Sequence, residues 1–191
     1  MTNTSFNVLG IAGSLRKASY SAALLAEIVA MSDDRMRITA FPLHDVPLYN
    51  QDLEPTPGQP PSPEPVTRFR KAIGEADGLI LVSPEYNYGT SGVLKNALDW
   101  ASRPGYKSVL LGKPVLIVTN SPGVYGGVRA QEQLRQTLSA TLARVVLRAE
   151  IAVAGIATKL NGGKLTDEST RGFLKEGLAD LAAEIERSRK K

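Results

Sequence analysis

Three short apolar runs, Phe6 to Ala12 (FNVLGIA), Gly78 to Val82 (GLILV) and Pro114 to Thr119 (PVLIVT), each stop at a polar loop rich in serine and glycine. Each is followed by apolar residues at helical spacing: Ala22, Ala23, Leu24, Leu25, Ile28 and Val29 after the first, Val93, Leu94, Ala97, Leu98 and Ala101 after the second, Leu134, Leu138 and Leu142 after the third. Runs this short, without polar alternation, read as strands covered on both faces. Strands that hand the chain to a helix pair in parallel through right-handed crossovers. Two more strands are expected: Met36 to Phe41 (MRITAF), which alternates, and Val145 to Val153, where Arg148 and Glu150 are costly in a sheet centre unless paired or at its end. A helix through Phe69, Ile73 and Ala76 precedes Gly78. A closing helix carries Leu174, Leu178, Leu181 and Ile185 behind a capping pattern that starts at Thr166 (Thr166-Asp167-Glu168-Ser169). The expectation is an α/β chain forming one domain over residues 1–191, a doubly wound, five-stranded parallel sheet with helices on both faces.

Composition removes several functions. With 42% hydrophobic residues in 191, the chain can bury a sizeable core. It has no cysteine, so disulfides, thiolate metal sites and thiol catalysis are excluded, and any electron transfer must use a bound cofactor. His44 is the only histidine and has no metal-ligand neighbours at useful spacing; it reads as a surface residue, with proton transfer the alternative, and no metal site is expected. The opening MTNTSF has neither a basic n-region nor an apolar h-region, and no run approaches the ~18 apolar residues that span a bilayer. The expected location is the cytoplasm, where the sequon Asn3-Thr4-Ser5 has no meaning. The net charge is +4 and the isoelectric point near 9.4, but the basic residues are dispersed apart from Arg187, Arg189, Lys190 and Lys191. Without a reading motif this predicts neither nucleic acid nor membrane as partner, and leaves a field that attracts phosphorylated cofactors.

The loops carry the chemistry. In the flavodoxin-like strand order 2-1-3-4-5, the first, third and fourth strands are neighbours at the switch point, so the loops at their carboxyl ends converge. The first, Gly13 to Ser21, opens a helix whose N-terminal N–H groups, with the hydroxyls of Ser14, Ser19 and Ser21 and the guanidinium of Arg16, form an anion cradle. The plainer alternative makes Ser19 or Ser21 a helix cap alone. Gly10 and Gly13 fit neither G-x-G-x-x-G nor a P-loop, which disfavours a Rossmann-bound dinucleotide or a nucleoside triphosphate. The second, SPEYNYGTSG, starts at Pro84, which takes the chain sharply out of the sheet, with Gly89 and Gly92 available for positive φ; it offers Glu85, Tyr86, Asn87 and Tyr88 to a flat ligand. The third is Asn120-Ser121-Pro122-Gly123-Val124-Tyr125-Gly126-Gly127. Pro42 to Pro65 has no periodicity and many prolines, the mark of a long loop that is functional or mobile.

With these loops in this order, the segments GSLRKASYS, SPEYNYGTSGVLKNALDW and SPGVYGGVRAQEQLRQ resemble the NADPH-dependent FMN reductase family, in particular its chromate and quinone reductase branch. The resemblance runs from about Val8 to Glu150. It implies that Ser14, Leu15, Arg16, Ser19, Tyr20 and Ser21 bind the phosphate and ribityl chain of FMN. Pro84, Glu85, Tyr86 and Asn87 border the isoalloxazine ring, and Ser121 contacts it. The implied activity is ping-pong: NADPH or NADH gives hydride to flavin N5, then a quinone or similar acceptor (chromate, azo compounds, flavins) is reduced. No side chain need act as acid or base; Glu85 reads as a loop-structuring carboxylate, with proton transfer the alternative. A flavodoxin-type electron carrier and a reductase of freely diffusing FMN are the rival readings. The resemblance further implies a homodimer or homotetramer, with Arg129 and Glu150 candidates for a contact between subunits. Glu132 departs from the branch, which has an aromatic residue there, and is placed to pair with Arg129 or Arg135 instead.

Overall fold

The computed structural model describes residues 5–55 and 61–190. Pro57 and Pro60 of the proline-rich stretch, and Asn3 and Thr4 of the sequon, lie outside them. The elements are β1 (Phe6–Ala12), α1 (Tyr20–Val29), β2 (Met36–Phe41), α2 (Glu64–Glu75), β3 (Gly78–Tyr86), β4 (Gly89–Thr90), α3 (Gly92–Ala101), β5 (Pro114–Asn120), α4 (Val128–Ala140), β6 (Arg144–Val145), β7 (Ile151–Val153), α5 (Ile156–Lys159), β8 (Leu160–Asn161), β9 (Lys164–Leu165) and α6 (Glu168–Arg189). β2, β1, β3 and β5 lie side by side in parallel, and β6 and β7 share the fifth place beyond β5. Side-chain alternation along the strands fills a layer on each face. Val8, Ile80, Val82, Leu116 and Val118 pack against α1 and α6, while Leu9, Ile11, Leu79, Leu81, Val115 and Ile117 pack against α2, α3 and α4. Among the described residues, no helix is long and apolar enough to cross a membrane.

The expected fifth strand, Val145 to Val153, is broken. Val115 pairs with Val145, 30 residues on, but Val118 pairs with Ile151, 33 residues on, so three residues are looped out between β6 and β7. The polar residues explain the break. Arg148 is only 9% exposed, and its Nη1 meets Asp180 Oδ2 on α6 at 3.0 Å, while its Nε donates to Ala149 O. The guanidinium thus leaves the ladder for a carboxylate partner, and the chain bulges to let it.

Two helix boundaries also differ from the sequence pattern. α4 ends at Ala140, and Leu142 is exposed with φ of +59°, because Leu142 O accepts from Gly112 N and the chain turns there into β6. The cap of α6 is Asp167, whose Oδ2 accepts from Thr170 N at 2.8 Å; Thr166 instead gives its hydroxyl to Lys159 O. The proline-rich stretch is tied down where it is described. Pro47 O accepts from both Asn96 Nδ2 and Trp100 Nε1 at 2.8 Å, and Arg70 holds Glu54 and Ser62 on either side of residues 56–60. Its order comes from these long-range bonds, since proline withholds the donors that a regular element needs.

Candidate functional site

The carboxyl ends of β1, β3 and β5 meet in a cleft of about 360 Å³, within the usual range for small-molecule sites. Ser14, Arg16, Ser19, Tyr20 and Ser21 form one wall, Pro84, Glu85 and Tyr86 the second, Asn120 and Pro122 the third. In the first wall every serine hydroxyl already accepts a hydrogen bond: Ser14 Oγ from Arg16 N at 3.4 Å, Ser19 Oγ from Ala22 N at 3.2 Å, Ser21 Oγ from Asn120 Nδ2 at 2.8 Å. A hydroxyl has one hydrogen, and in all three it is left to donate. Ser19 is thus both helix cap and cradle member. The amides of Tyr20 and Ser21, in the first turn of α1, have no protein acceptor among the described residues. The Arg16 guanidinium lies over the Tyr20 ring, 5.0 Å from its centroid, with no carboxylate partner among the described residues. This wall offers donors and positive charge and asks for an acceptor-only anion, which is the chemistry of a phosphate monoester.

The second wall is more regular than its glycines and proline predict. Pro84 stays in the sheet opposite Asn120, and β3 continues to Tyr86 before reversing into antiparallel β4. Positive φ falls on Asn87 (+49°) and Tyr88 (+63°), not on Gly89 or Gly92, because a two-residue hairpin needs it at both central positions. Glu85 is 11% exposed and accepts from Arg129 N at 3.1 Å and Arg129 Nη1 at 3.3 Å. The same guanidinium lies 4.2 Å from the Tyr88 ring centroid and 5.1 Å from that of Tyr125, so one residue of α4 ties the second loop to the third. The carboxylate is tied to Arg129 through two bonds, which suits a structural part.

The third wall is fixed by its backbone. Ser121 N donates to Val153 O, Ile156 N to Ser121 O, and Gly155 N to Gly123 O, pinning the loop to the end of β7.

Of the residues expected at a cofactor site, Ser14, Arg16, Ser19, Tyr20, Ser21, Pro84, Glu85 and Tyr86 line the one cleft. Leu15 is 41% exposed beside it, Asn87 sits at the hairpin tip, and Ser121 lies between two lining residues with its Oγ accepting from Gly123 N. Asn120 and Pro122 were missed; the signal for Asn120 was an amide at the last position of an otherwise apolar strand. His44 is exposed and away from the cleft. Within the chain Glu150 faces Arg135 at 3.9 Å and Arg129 is taken by Glu85, so Glu132 pairs with neither arginine.

A donor-lined pocket for phosphate, joined to a proline and tyrosine wall for a flat ring, fits a phosphorylated flavin. The comparisons agree. The family model for NADPH-dependent FMN reductase matches residues 6–158. An NAD(P)H-dependent FMN reductase of Pseudomonas aeruginosa is 39% identical over 183 residues, covering 95% of this chain and 96% of its own. A quinone reductase of Escherichia coli is 37% identical over 183 residues, with 94% and 95% covered. Among solved structures, the flavoenzyme NAD(P)H:(acceptor) oxidoreductase FerB from Paracoccus denitrificans superposes with a TM-score of 0.80 at 32% identity, over 96% of this chain and 98% of that one. Cleft, fold and relatives converge, and the chain belongs to the NADPH-dependent FMN reductase family.

Proposed function

We propose that the cleft binds FMN and that the protein oxidises NAD(P)H to reduce quinones and similar small acceptors. The observation that carries this is the donor-rich first wall, three hydroxyls whose hydrogens are all left to donate and a guanidinium, beside a second wall suited to a ring. In this reading Ser14, Arg16, Ser19 and Ser21 hold the phosphate, with Leu15 and Tyr20 along the ribityl chain. Pro84, Glu85, Tyr86 and Asn87 border the ring, and Ser121 closes the third side. FMN would supply the redox chemistry, taking hydride from NAD(P)H and passing its two electrons and hydrogen on, so that a quinone becomes a hydroquinone with one further proton from solvent.

The chain's own residues bind, orient and keep one side of the site open. Glu85 is committed to Arg129, so it steadies the hairpin and moves no proton. Tyr86 and Tyr88 are 51% and 69% exposed, presenting ring faces to whatever planar molecule enters. Chromate, azo compounds and free flavins belong to the same proposal as acceptors, since an open site discriminates little among them. So do action of the whole chain as one FMN-binding domain, assembly into a dimer or tetramer, and a cytoplasmic setting, all supported by the family resemblance. The dispersed basic residues favour small molecules over nucleic acid or membrane.

The test is an absorbance spectrum of the purified protein, followed by anaerobic NADPH in the same cuvette. A flavin spectrum that bleaches is expected. A colourless protein that nevertheless bleaches added FMN would indicate a reductase of diffusing flavin. Bound flavin that no nicotinamide bleaches would indicate an electron carrier, and a protein that neither binds nor reduces FMN would overturn the proposal.

A further inference from the structure

We propose that Asn120 is a positioning residue that turns Ser21 into a committed hydrogen-bond donor, and that it thereby sets the preference of the site for phosphorylated over unphosphorylated flavin. This rests on the FMN reading above. Asn120 is the last residue of β5 and is 2% exposed. Its backbone is held on both sides, opposite Pro84 in β3 and Val153 in β7. Its Nδ2 lies 2.8 Å from Ser21 Oγ and 3.4 Å from Ser83 O. A carbonyl oxygen can only accept, so the amide nitrogen is the atom that faces both partners, and the direction of the Ser21 bond is settled.

The consequence falls on Ser21. Its side chain is 1% exposed and lines the cleft, and its hydroxyl gives its hydrogen to no protein acceptor among the described residues. With one lone pair occupied by Asn120, the hydrogen is turned toward the cleft, and a hydroxyl that accepts a bond donates a stronger one. Ser14 and Ser19 are oriented in the same manner by backbone amides of their own segment. Ser21 alone, on α1, takes its orienting donor from a strand 99 residues away. The bond to Ser83 O adds a second link, since Ser83 opens the segment that borders the ring. One buried amide thus holds the phosphate wall and the ring wall at a fixed spacing.

The experiment is a pair of fluorescence titrations of the full-length chain, freed of flavin, with FMN and with riboflavin. The readout is the ratio of the two dissociation constants. Loosening of the site weakens both flavins and leaves the ratio alone, so a merely structural role does not move it. Asn120→Asp presents an acceptor and a negative charge to Ser21, and the FMN preference should fall by about tenfold or more. Asn120→Leu removes the donor without reversing it, and the preference should fall by about threefold, whatever the loss of the Ser83 link takes from both flavins alike. In a Ser21→Ala background, Asn120→Leu should add nothing further to the ratio, because its target is gone. Should the Asn120 variants fail to fold, Ser21→Ala decides: the preference must fall, and an unchanged ratio overturns the proposal. A wild type that binds both flavins equally overturns the phosphate assignment itself, and this inference with it. A wild type that prefers FMN, with the ratio retained in the Asn120 variants, overturns only the role of Asn120.

Discussion

Gly126→Ala tests whether the third loop is held by its contact with β7. Gly126 has φ of +62°, and a Cβ built there would lie 2.5 Å from the carbonyl carbon and oxygen of Ala152 and 2.8 Å from Ala154 N. These are backbone atoms of a paired strand and its continuation, so no side chain can swing aside. The left-handed conformation costs an alanine about 1–2 kcal/mol. Relieving the overlap by shifting backbone adds about 1–3 kcal/mol. The other route is for the loop to peel away, giving up its three bonds to residues 153–156 at about 1 kcal/mol each. Both routes therefore come to about 2–5 kcal/mol. Gly123→Ala is the matched control: Gly123 does not have positive φ, and its Cβ would meet only Ser121 Oγ at 3.5 Å. Urea unfolding should show Gly126→Ala destabilised by at least about 2 kcal/mol and Gly123→Ala within about 0.5 kcal/mol of the parent. If the loop peels, FMN affinity falls as well. Equal stability and equal FMN affinity for the two variants would refute the claim that this contact holds the loop.

Arg16→Ala should weaken FMN by about 10-fold, the lower end of a charge-assisted contact because the guanidinium is exposed, while riboflavin affinity and urea stability stay put; unchanged FMN affinity in a titration would remove Arg16 from the phosphate site. The Asp167 carboxyl is held below the usual carboxylate range by the Thr170 hydroxyl and amide and by Lys159. Its contribution to stability is therefore complete above the unfolded carboxylate value and is lost as pH falls through the lower folded value. Asp167→Asn keeps the cap but cannot titrate, so urea midpoints measured from neutral to acid pH should converge on the acid side. Burial lowers the Lys113 amine from its ordinary value, with Asp77 opposing, so the charged form is penalised in the fold. Wild-type stability should rise with pH just below the ordinary lysine value, and Lys113→Met should lack that slope. Gly172→Ala, inside α6 with nothing within 4 Å of its Cβ, should raise stability by about 0.5–1 kcal/mol and Tm by about 1–4 °C in a thermal melt.

What could be read from the sequence was whatever local periodicity dictates. β1, β3 and β5 were legible because an apolar run buried on both faces has few other uses, and β2 because its residues alternate. The residues of the first wall were legible because a serine-rich turn between strand and helix has unpaired N–H groups wherever it occurs. The bonds that orient those residues were not. Asn120 reaches Ser21 across 99 positions and Arg129 reaches Glu85 across 44, and nothing in either stretch announces the partner. The hairpin turn was misplaced for a similar reason. Glycines marked the sites of least cost for positive φ, but the pairing of Glu85 with Thr90 and Tyr86 with Gly89 left Asn87 and Tyr88 at the turn. Gly89 is small for another purpose, since a Cβ there would strike Gln133 Oε1 at 2.5 Å, the atom that accepts from Thr90 N.

The broken fifth strand shows how a scaffold defect is made good and then used. Arg144 N donates to Lys113 O and Val146 N to Val115 O; the same spacing would next bring Arg148 N to Ile117 O. Past the bulge, the pairing of Val118 with Ile151 hands that carbonyl to Ile151 N instead, so the ladder resumes three residues late. Gln131, fully buried on α4, lies against the break: its Nε2 is 3.1 Å from Ile151 O and 3.5 Å from Ile117 O. A buried amide donor without a partner costs about 1–3 kcal/mol, so these two carbonyls, each with a lone pair beyond its ladder bond, are what let Gln131 sit in an otherwise apolar helix face. The three looped-out residues also set where β7 resumes, and β7 carries Val153, whose carbonyl holds Ser121 N. Arg148, which reads from the sequence as a flaw in a strand, therefore fixes the register from which the third wall of the cleft hangs.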